Sequence, residues 1–174
     1  MKITPVDSVM TAWVRSPLGS LLVGSTSRGI CLLEFTNRKR LGRQLSQLRR
    51  HFRCSVVPGE NRHTVQLRRE LSEYFSGKRK RFSVKLIYPG TPFQEKVWRA
   101  LRMIPYGATV SYEHIAHTIG TPGASRAVGT ANGSNRISII IPCHRVINKN
   151  GKLGGYGGGL RKKKMLLSLE RRTK

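Results

Sequence analysis

Near the start of the chain, apolar residues cluster in three short runs, Thr11–Arg15, Leu21–Ser25 and Ile30–Phe35, separated by Ser16-Pro17-Leu18-Gly19 and Ser27-Arg28-Gly29. Aliphatic and aromatic runs bounded by such turn residues predict a β-meander. From Leu41 the rhythm changes: Leu41, Leu45, Leu48 and Phe52 recur in steps of four, three and four, which places them on one face of a helix whose other face is Arg and Gln. A Ser55-Val56-Val57 strand follows, then a helix marked by Leu67, Leu71 and Tyr74 and stopped at Gly77, and then a strand in which Phe82, Val84 and Leu86 alternate with polar neighbours.

Pro89-Gly90-Thr91-Pro92 marks a change of texture. Thr91 as N-cap, Pro92 at N1 and Gln94 at N3 predict a capping box, followed by a helix with Phe93, Val97, Trp98 and Leu101 on one face and ended by Pro105-Tyr106-Gly107. Ser111 caps a shorter helix, Tyr112–Ile119, closed by Gly120, and a further helix runs from Ala124 to about Asn132. Two short helices joined by a Gly-containing turn make a helix-turn-helix, whose second helix enters a DNA groove in proteins that use it so. The predicted fold class is α+β, with a sheet-plus-helix domain over residues 1–88 and a mostly helical domain over residues 89–174.

Charge alters this picture of an ordinary globular chain. The 174 residues carry 33 Lys+Arg against 8 Asp+Glu, a formal charge of +25. It is spread along the chain, with 18 basic against 5 acidic residues up to Thr91 and 15 against 3 beyond. Local runs stand at Arg38-Lys39-Arg40, Lys78-Arg79-Lys80-Arg81, Arg161-Lys162-Lys163-Lys164 and Arg171-Arg172-Thr173-Lys174, each readable alone as a solvated face. Self-repulsion on this scale points to a polyanionic partner, nucleic acid before an acidic membrane surface. No apolar stretch approaches the roughly 18–20 residues of a membrane span, so no membrane partner is expected. Three scattered cysteines, Cys31, Cys54 and Cys143, form neither a disulfide framework nor a paired zinc spacing. A reducing cytoplasmic setting, associated with the nucleoid, is the expectation.

The chemistry concentrates in Ile139-Ile140-Ile141-Pro142-Cys143-His144-Arg145-Val146-Ile147. A cysteine with an ordinary pKa near ~8.5 needs a base or a positive environment to act as a nucleophile at neutral pH, and His144 and Arg145 offer both. Neighbouring side chains in an extended segment point apart, so a bridging water or a turn is expected between Cys143 and His144. Glu170, the only carboxylate after Glu113, is the candidate to orient the imidazole, provided the last helix from Leu160 folds back. Cys143 can also be read as a small buried hydrophobe, as Cys31 and Cys54 are. His114 and His117 lack a third ligand and are read as surface residues, so no metal is expected. The glycines from Gly154 to Gly159 do not match a nucleotide-binding loop, and no cofactor is expected.

The run Pro142-Cys143-His144-Arg145-Val146, with Val110-Ser111-Tyr112, Ser125-Arg126-Ala127-Val128-Gly129 and Asn135 before it and Gly155-Tyr156-Gly157-Gly158 after it, closely resembles the O6-alkylguanine-DNA alkyltransferases. The resemblance covers Pro92 to Glu170, and Pro17-Leu18-Gly19 through Phe35 is similar to the family's N-terminal strands, which implies a ribonuclease-H-like first domain. It implies direct repair of double-stranded DNA: an alkylated guanine is flipped out and the alkyl group on O6, or on O4 of thymine, passes irreversibly to Cys143. By the same resemblance His144 is the base, acting through water, and Glu170 holds it. Tyr112, Asn135, Val146, Tyr156 and Gly157 build the base pocket, with backbone groups near Cys143, Val146 and Gly157 reading the guanine edge. Arg126 fills the gap left by the base, and Ser111, Ser125, Ala127 and Gly129 face DNA. A thioether has no good leaving group, so each molecule reacts once. A monomer is expected, with clustering along DNA open. Arg136 stands where the family often has proline, and Gly157 where many members have serine. The competing readings are a lesion-binding protein without activity, a helix-turn-helix regulator and a cysteine hydrolase. A charge of +25 exceeds what one lesion site requires.

Overall fold

The computed structural model describes residues 8–36 and 38–173, the side chains of Arg38 and Lys39 excepted. Those two side chains and Lys174, which belong to the basic runs noted above, lie outside the described residues, as do residues 1–7. The chain divides into two compact units, one up to Pro89 and one from Gly90.

In the first unit β1 (Ser8–Val14), β2 (Leu21–Thr26) and β3 (Gly29–Phe35) form the expected antiparallel meander. Helix α1 (Arg38–Phe52) then returns the chain so that β4 (Ser55–Pro58) pairs parallel with β1, giving the order β3-β2-β1-β4. Side chains alternate across a strand. On one face Val9, Leu22 and Leu32 therefore meet Leu41, Leu48 and Phe52 of α1 in a buried cluster, as the four-three-four spacing requires. Burying each such side chain contributes roughly 1.5–3 kcal/mol. Helix α2 (Arg62–Phe75) covers the opposite face, where the hydroxyls of Ser25 and Thr64 hydrogen-bond at 2.9 Å. Its N-cap is Asn61, whose side chain accepts from the backbone N–H groups of His63 and Thr64, and Gly77 follows its C-cap with φ of 75°.

One expected strand is absent among the described residues. Phe82 to Leu86 makes a single bridge to β3, with Ile30 N donating to Lys85 O at 2.8 Å and Ile87 N to Ile30 O at 2.8 Å. The segment runs parallel to β3 at that one position, and the approach is close: a Cβ on Gly29 would lie 2.6 Å from Lys85 O. Alternation alone cannot distinguish that geometry from a ladder.

In the second unit α3 (Pro92–Arg102) opens with the full capping box on Thr91 and Gln94. Its Trp98 is buried, and Nε1 donates to Ala131 O at 2.9 Å, tying α3 to the C-terminal turn of α5. The two-residue β5 (Val110–Ser111) leads into α4 (Tyr112–Thr118), capped by the Ser111 hydroxyl, and α5 (Ser125–Gly133) follows the Gly120–Gly123 turn. β5 pairs parallel with β6 (Val146–Ile147), Val110 opposite Val146. That pairing brings the start of α4 alongside the Cys143 segment. Helix α6 (Leu160–Arg172) ends the described chain, with Lys163, Leu166, Leu167 and Glu170 on its buried face. Among the described residues no helix is long and apolar enough to cross a membrane.

Candidate active site

Ile139 to Ile141 is not a strand: Ile139 adopts φ of 72°, and a single 3-10 turn, Cys143–Arg145, follows Pro142. The turn is closed by Arg145 N donating to Pro142 O at 2.9 Å. It turns three consecutive side chains inward, all buried, with Cys143 only 5% exposed. The turn anticipated between thiol and imidazole is thus present.

His144 and Arg145 both converge on Glu170. His144 Nε2 lies 2.7 Å from Glu170 Oε1; Arg145 donates through Nε to Oε2 at 2.9 Å and through Nη2 to Oε1 at 3.0 Å, and Gly107 N donates to Oε2 at 3.0 Å. Burial alone would raise the Glu170 carboxyl, but the hydrogen bonds and charges of His144 and Arg145 outweigh it and hold the group well below its ordinary range. An ionised carboxylate can only accept, so Nε2 of His144 carries the proton and Nδ1 carries the lone pair. Burial lowers the His144 pKa, against the pull of Glu170 and with help from the Arg145 and Lys163 charges, so the imidazole is neutral at pH 7. Among the described residues Nδ1 has no hydrogen-bond partner, the state a general base needs.

Arg145 also donates through Nη1 to Ile104 O at 2.7 Å, and its guanidinium lies over the Tyr106 ring. The donor to sulfur is Asn135, whose Nδ2 lies 3.1 Å from Cys143 Sγ and 2.9 Å from Ile141 O, while its Oδ1 accepts from Ile137 N at 2.9 Å. Asn135 therefore joins the end of α5 to the thiol turn. Asn132, not singled out in the sequence, reaches Cys143 O at 3.4 Å.

Lys163 was also missed, inside a run read as solvated. It is fully buried, and its Nζ donates to Val146 O at 2.6 Å, to Gly155 O at 3.3 Å and to Leu153 O. Burial pulls its pKa down to about 8, with the charge of Cys143 opposing. The signal that could have found it is spacing: Lys163, Leu166, Leu167 and Glu170 repeat as i, i+3, i+4, i+7, the buried stripe of an amphipathic helix.

The other residues singled out fall around this centre or on its helices. Tyr112, first in α4, is half-buried; burial and then the Cys143 charge raise its phenol pKa, which leaves it a proton donor at pH 7. A Cβ on Gly129 would sit 3.9 Å from the Tyr112 ring, so this glycine faces Tyr112. The Tyr156 ring stands edge-on to His144 with centroids 6.4 Å apart, and Gly157 beside it is half-buried. Val146 is buried and its carbonyl accepts from Lys163 Nζ, while the Cys143 carbonyl accepts from Val146 N and Asn132 Nδ2. Arg126 and Ala127 are exposed on α5, Ser125 opens that helix half-buried, and the Ser111 hydroxyl accepts from His114 N at 3.0 Å. His114 and His117 are exposed, and among the described residues no group of three metal-binding side chains exists.

A thiol with an amide donor, followed in the chain by a neutral imidazole fixed by an ionised carboxylate, is the equipment of a cysteine nucleophile. Comparison with known proteins narrows the class. Residues 92–172 match the model described as 6-O-methylguanine DNA methyltransferase, DNA binding domain, and residues 9–88 match that family's ribonuclease-like domain. The chain is 46% identical over 158 residues, 91% of its length and 90% of the other's, to the methylated-DNA–protein-cysteine methyltransferase of Mycobacterium tuberculosis (strain ATCC 25618 / H37Rv). It is 58% identical to the protein of that name from Mycolicibacterium paratuberculosis over 103 residues, 59% of this chain and 62% of that one. Its fold superposes on the crystal structure of Mycobacterium tuberculosis OGT in complex with DNA with a TM-score of 0.79, at 40% identity, covering 95% of this chain and 94% of that one. The chain belongs to the 6-O-methylguanine DNA methyltransferase family.

Proposed function

We propose that this protein repairs alkylated DNA by direct reversal, with Cys143 as the acceptor. The carrying observation is the convergence of Asn135 Nδ2 on Cys143 Sγ beside a His144 ring whose tautomer is set by Glu170. His144 Nδ1 takes the thiol proton, through a water molecule. The Asn135 amide favours the resulting thiolate, since hydrogen bonding to a charged form stabilises it. Sulfur then forms a bond to the alkyl carbon as the bond from that carbon to O6 breaks; the electron pair leaves with guanine, which regains a proton.

A stacked base cannot present O6 to a buried thiol, so guanine must be extruded at a cost of a few kcal/mol. The exposed Arg126 on α5 suits the role of filling the vacated space, and Tyr112, at the start of α4, remains a donor for the flipped base. Residues 89–174 carry this chemistry, and residues 1–88 form the ribonuclease-like partner domain. The partner is double-stranded DNA containing alkylated guanine, met by a monomer in the cytoplasm at the nucleoid. Cys143→Ala should bind methylated duplex with unchanged affinity and remove no methyl group. Transfer persisting in that variant would refute the assignment.

A further inference from the structure

The α1 side of the first unit carries charge that the reaction does not use. Helix α1, RKRLGRQLSQLRRHF, contains six Lys or Arg and no carboxylate. Arg43, Arg49 and Arg50 on it, and Arg53 just after it, are exposed and form no ion pair with any described residue. Among the described residues the carboxylate beneath the helix is Glu34, which is buried and held by Arg40 and Gln44. On the α2 side the balance is different: Arg68 pairs with Glu60, Arg69 with Glu73, and Arg79 with Glu73 and Glu70. On the α2 side free cations such as Arg28, Arg62, Lys78 and Lys80 stand among compensated ones, whereas Arg43, Arg49, Arg50 and Arg53 stand with no carboxylate paired to any of them; solubility alone does not demand that segregation, because it is indifferent to where the charge lies. Nor does the helix dipole account for it. The dipole favours cations in the last turn but carboxylates in the first, where α1 has none.

Leu41, Leu48 and Phe52 face the sheet, which turns Arg43 and Arg50 outward, one heptad and roughly 10 Å apart along the axis. Phosphates along one DNA strand advance about 3.4 Å each, so that spacing spans about three of them. We propose that the outer face of α1 is a second DNA-contacting surface, in which Arg43, Arg49, Arg50 and Arg53 track the phosphodiester backbone of duplex DNA independently of any lesion. This deepens the DNA-repair reading, on which it rests only for the identity of the polyanion.

The test compares binding of a lesion-free duplex across salt concentrations. Replacing all four arginines by Gln should lower the slope of log affinity against log salt by about 3–4, so that wild type loses roughly 100-fold more affinity than the variant between about 50 and 200 mM salt. Replacing them by Lys should keep the slope. Neutralising Arg28, Arg62, Lys78 and Lys80, exposed beside α2 or after it, should change the slope by less than about one. Trp13 gives a local readout that folding defects do not mimic. Its register with Leu22, and that of Leu22 with Glu34, puts it on the α1 face, and it is 53% exposed while Trp98 is 1% exposed. Lesion-free duplex should shield Trp13 from acrylamide in wild type and not in the Gln variant. An unchanged slope, an equal change in the α2-side set, or arginine-dependent binding to phosphatidylserine vesicles with none to DNA would overturn the proposal. Absence of methyl transfer by wild type would instead sink the repair reading and leave the slope comparison intact.

Discussion

Glu170→Gln keeps the shape of the side chain while removing the charge on which three groups converge. In wild type the carboxylate accepts from His144, from two nitrogens of Arg145 and from Gly107 N, all at 2.7–3.0 Å and with the carboxylate fully buried. The amide offers one acceptor oxygen and puts a second donor against a guanidinium that is nearly buried. Leaving a buried charge without its partner typically costs about 3–5 kcal/mol. The pH dependence has a definite sign. The native carboxyl is held below its ordinary 4.5, so its ionised form stabilises the fold fully above that pH. That contribution is lost progressively as pH falls below 4.5, where the unfolded chain binds a proton that the native state resists. Urea unfolding should therefore show a wild-type advantage of about 3–5 kcal/mol near neutrality that narrows steadily below about pH 4.5. Single-turnover transfer should slow by about 10²–10⁴, the usual contribution of a positioned base, because the His144 tautomer is no longer dictated. An advantage independent of pH, or transfer at the wild-type rate, would refute the reasoning.

Three other perturbations probe neighbouring contacts. Asn135→Ala removes the donor to Cys143 Sγ and takes the side-chain acceptor from Ile137 N, while Ile141 O keeps Cys143 N; it should destabilise the protein by about 1–3 kcal/mol and raise the pH needed for iodoacetamide to alkylate Cys143. Lys163 titrates near 8 in the fold against 10.5 ordinarily, so the native state releases its proton first, and wild type should gain stability relative to Lys163→Met as pH rises from about 8 to 10.5; thermal melts across that range decide it. Gly154 has φ of 66°, and a Cβ there would sit 3.0 Å from the Tyr112 hydroxyl and 3.1 Å from Asn148 Oδ1. Gly154→Ala should cost about 1 kcal/mol or more in denaturant melts and slow transfer by displacing Tyr112.

What the sequence discloses and what it conceals follow from the range of the interactions. Leu41, Leu45, Leu48 and Phe52, or Thr91 with Gln94, encode their structure within one or two helical turns, and α1 and α3 form as their spacing predicts. Glu170 could be paired with His144 because so few carboxylates compete for it. The direction of Arg145 could not be read, because its acceptors, Glu170 and Ile104 O, are brought to it only by the folding of α6 and the end of α3. Lys163 was concealed for a related reason: a basic run looks uniformly solvated until the helix is set against its neighbours and one position in four turns inward. The segment Phe82 to Leu86 alternates correctly but makes a single parallel bridge, at Ile30 near the start of β3, and alternation does not say how many partners a strand will find.

In the proposed reaction Cys143 Sγ accepts the alkyl group. Wild-type protein should be incubated with a duplex containing O6-methylguanine and weighed intact by mass spectrometry, with peptide mapping of the product. One methyl group should be added per molecule, located on Cys143, with no further gain in excess substrate. An unmodified protein, a methyl group on Cys31 or Cys54, or repeated turnover would contradict it.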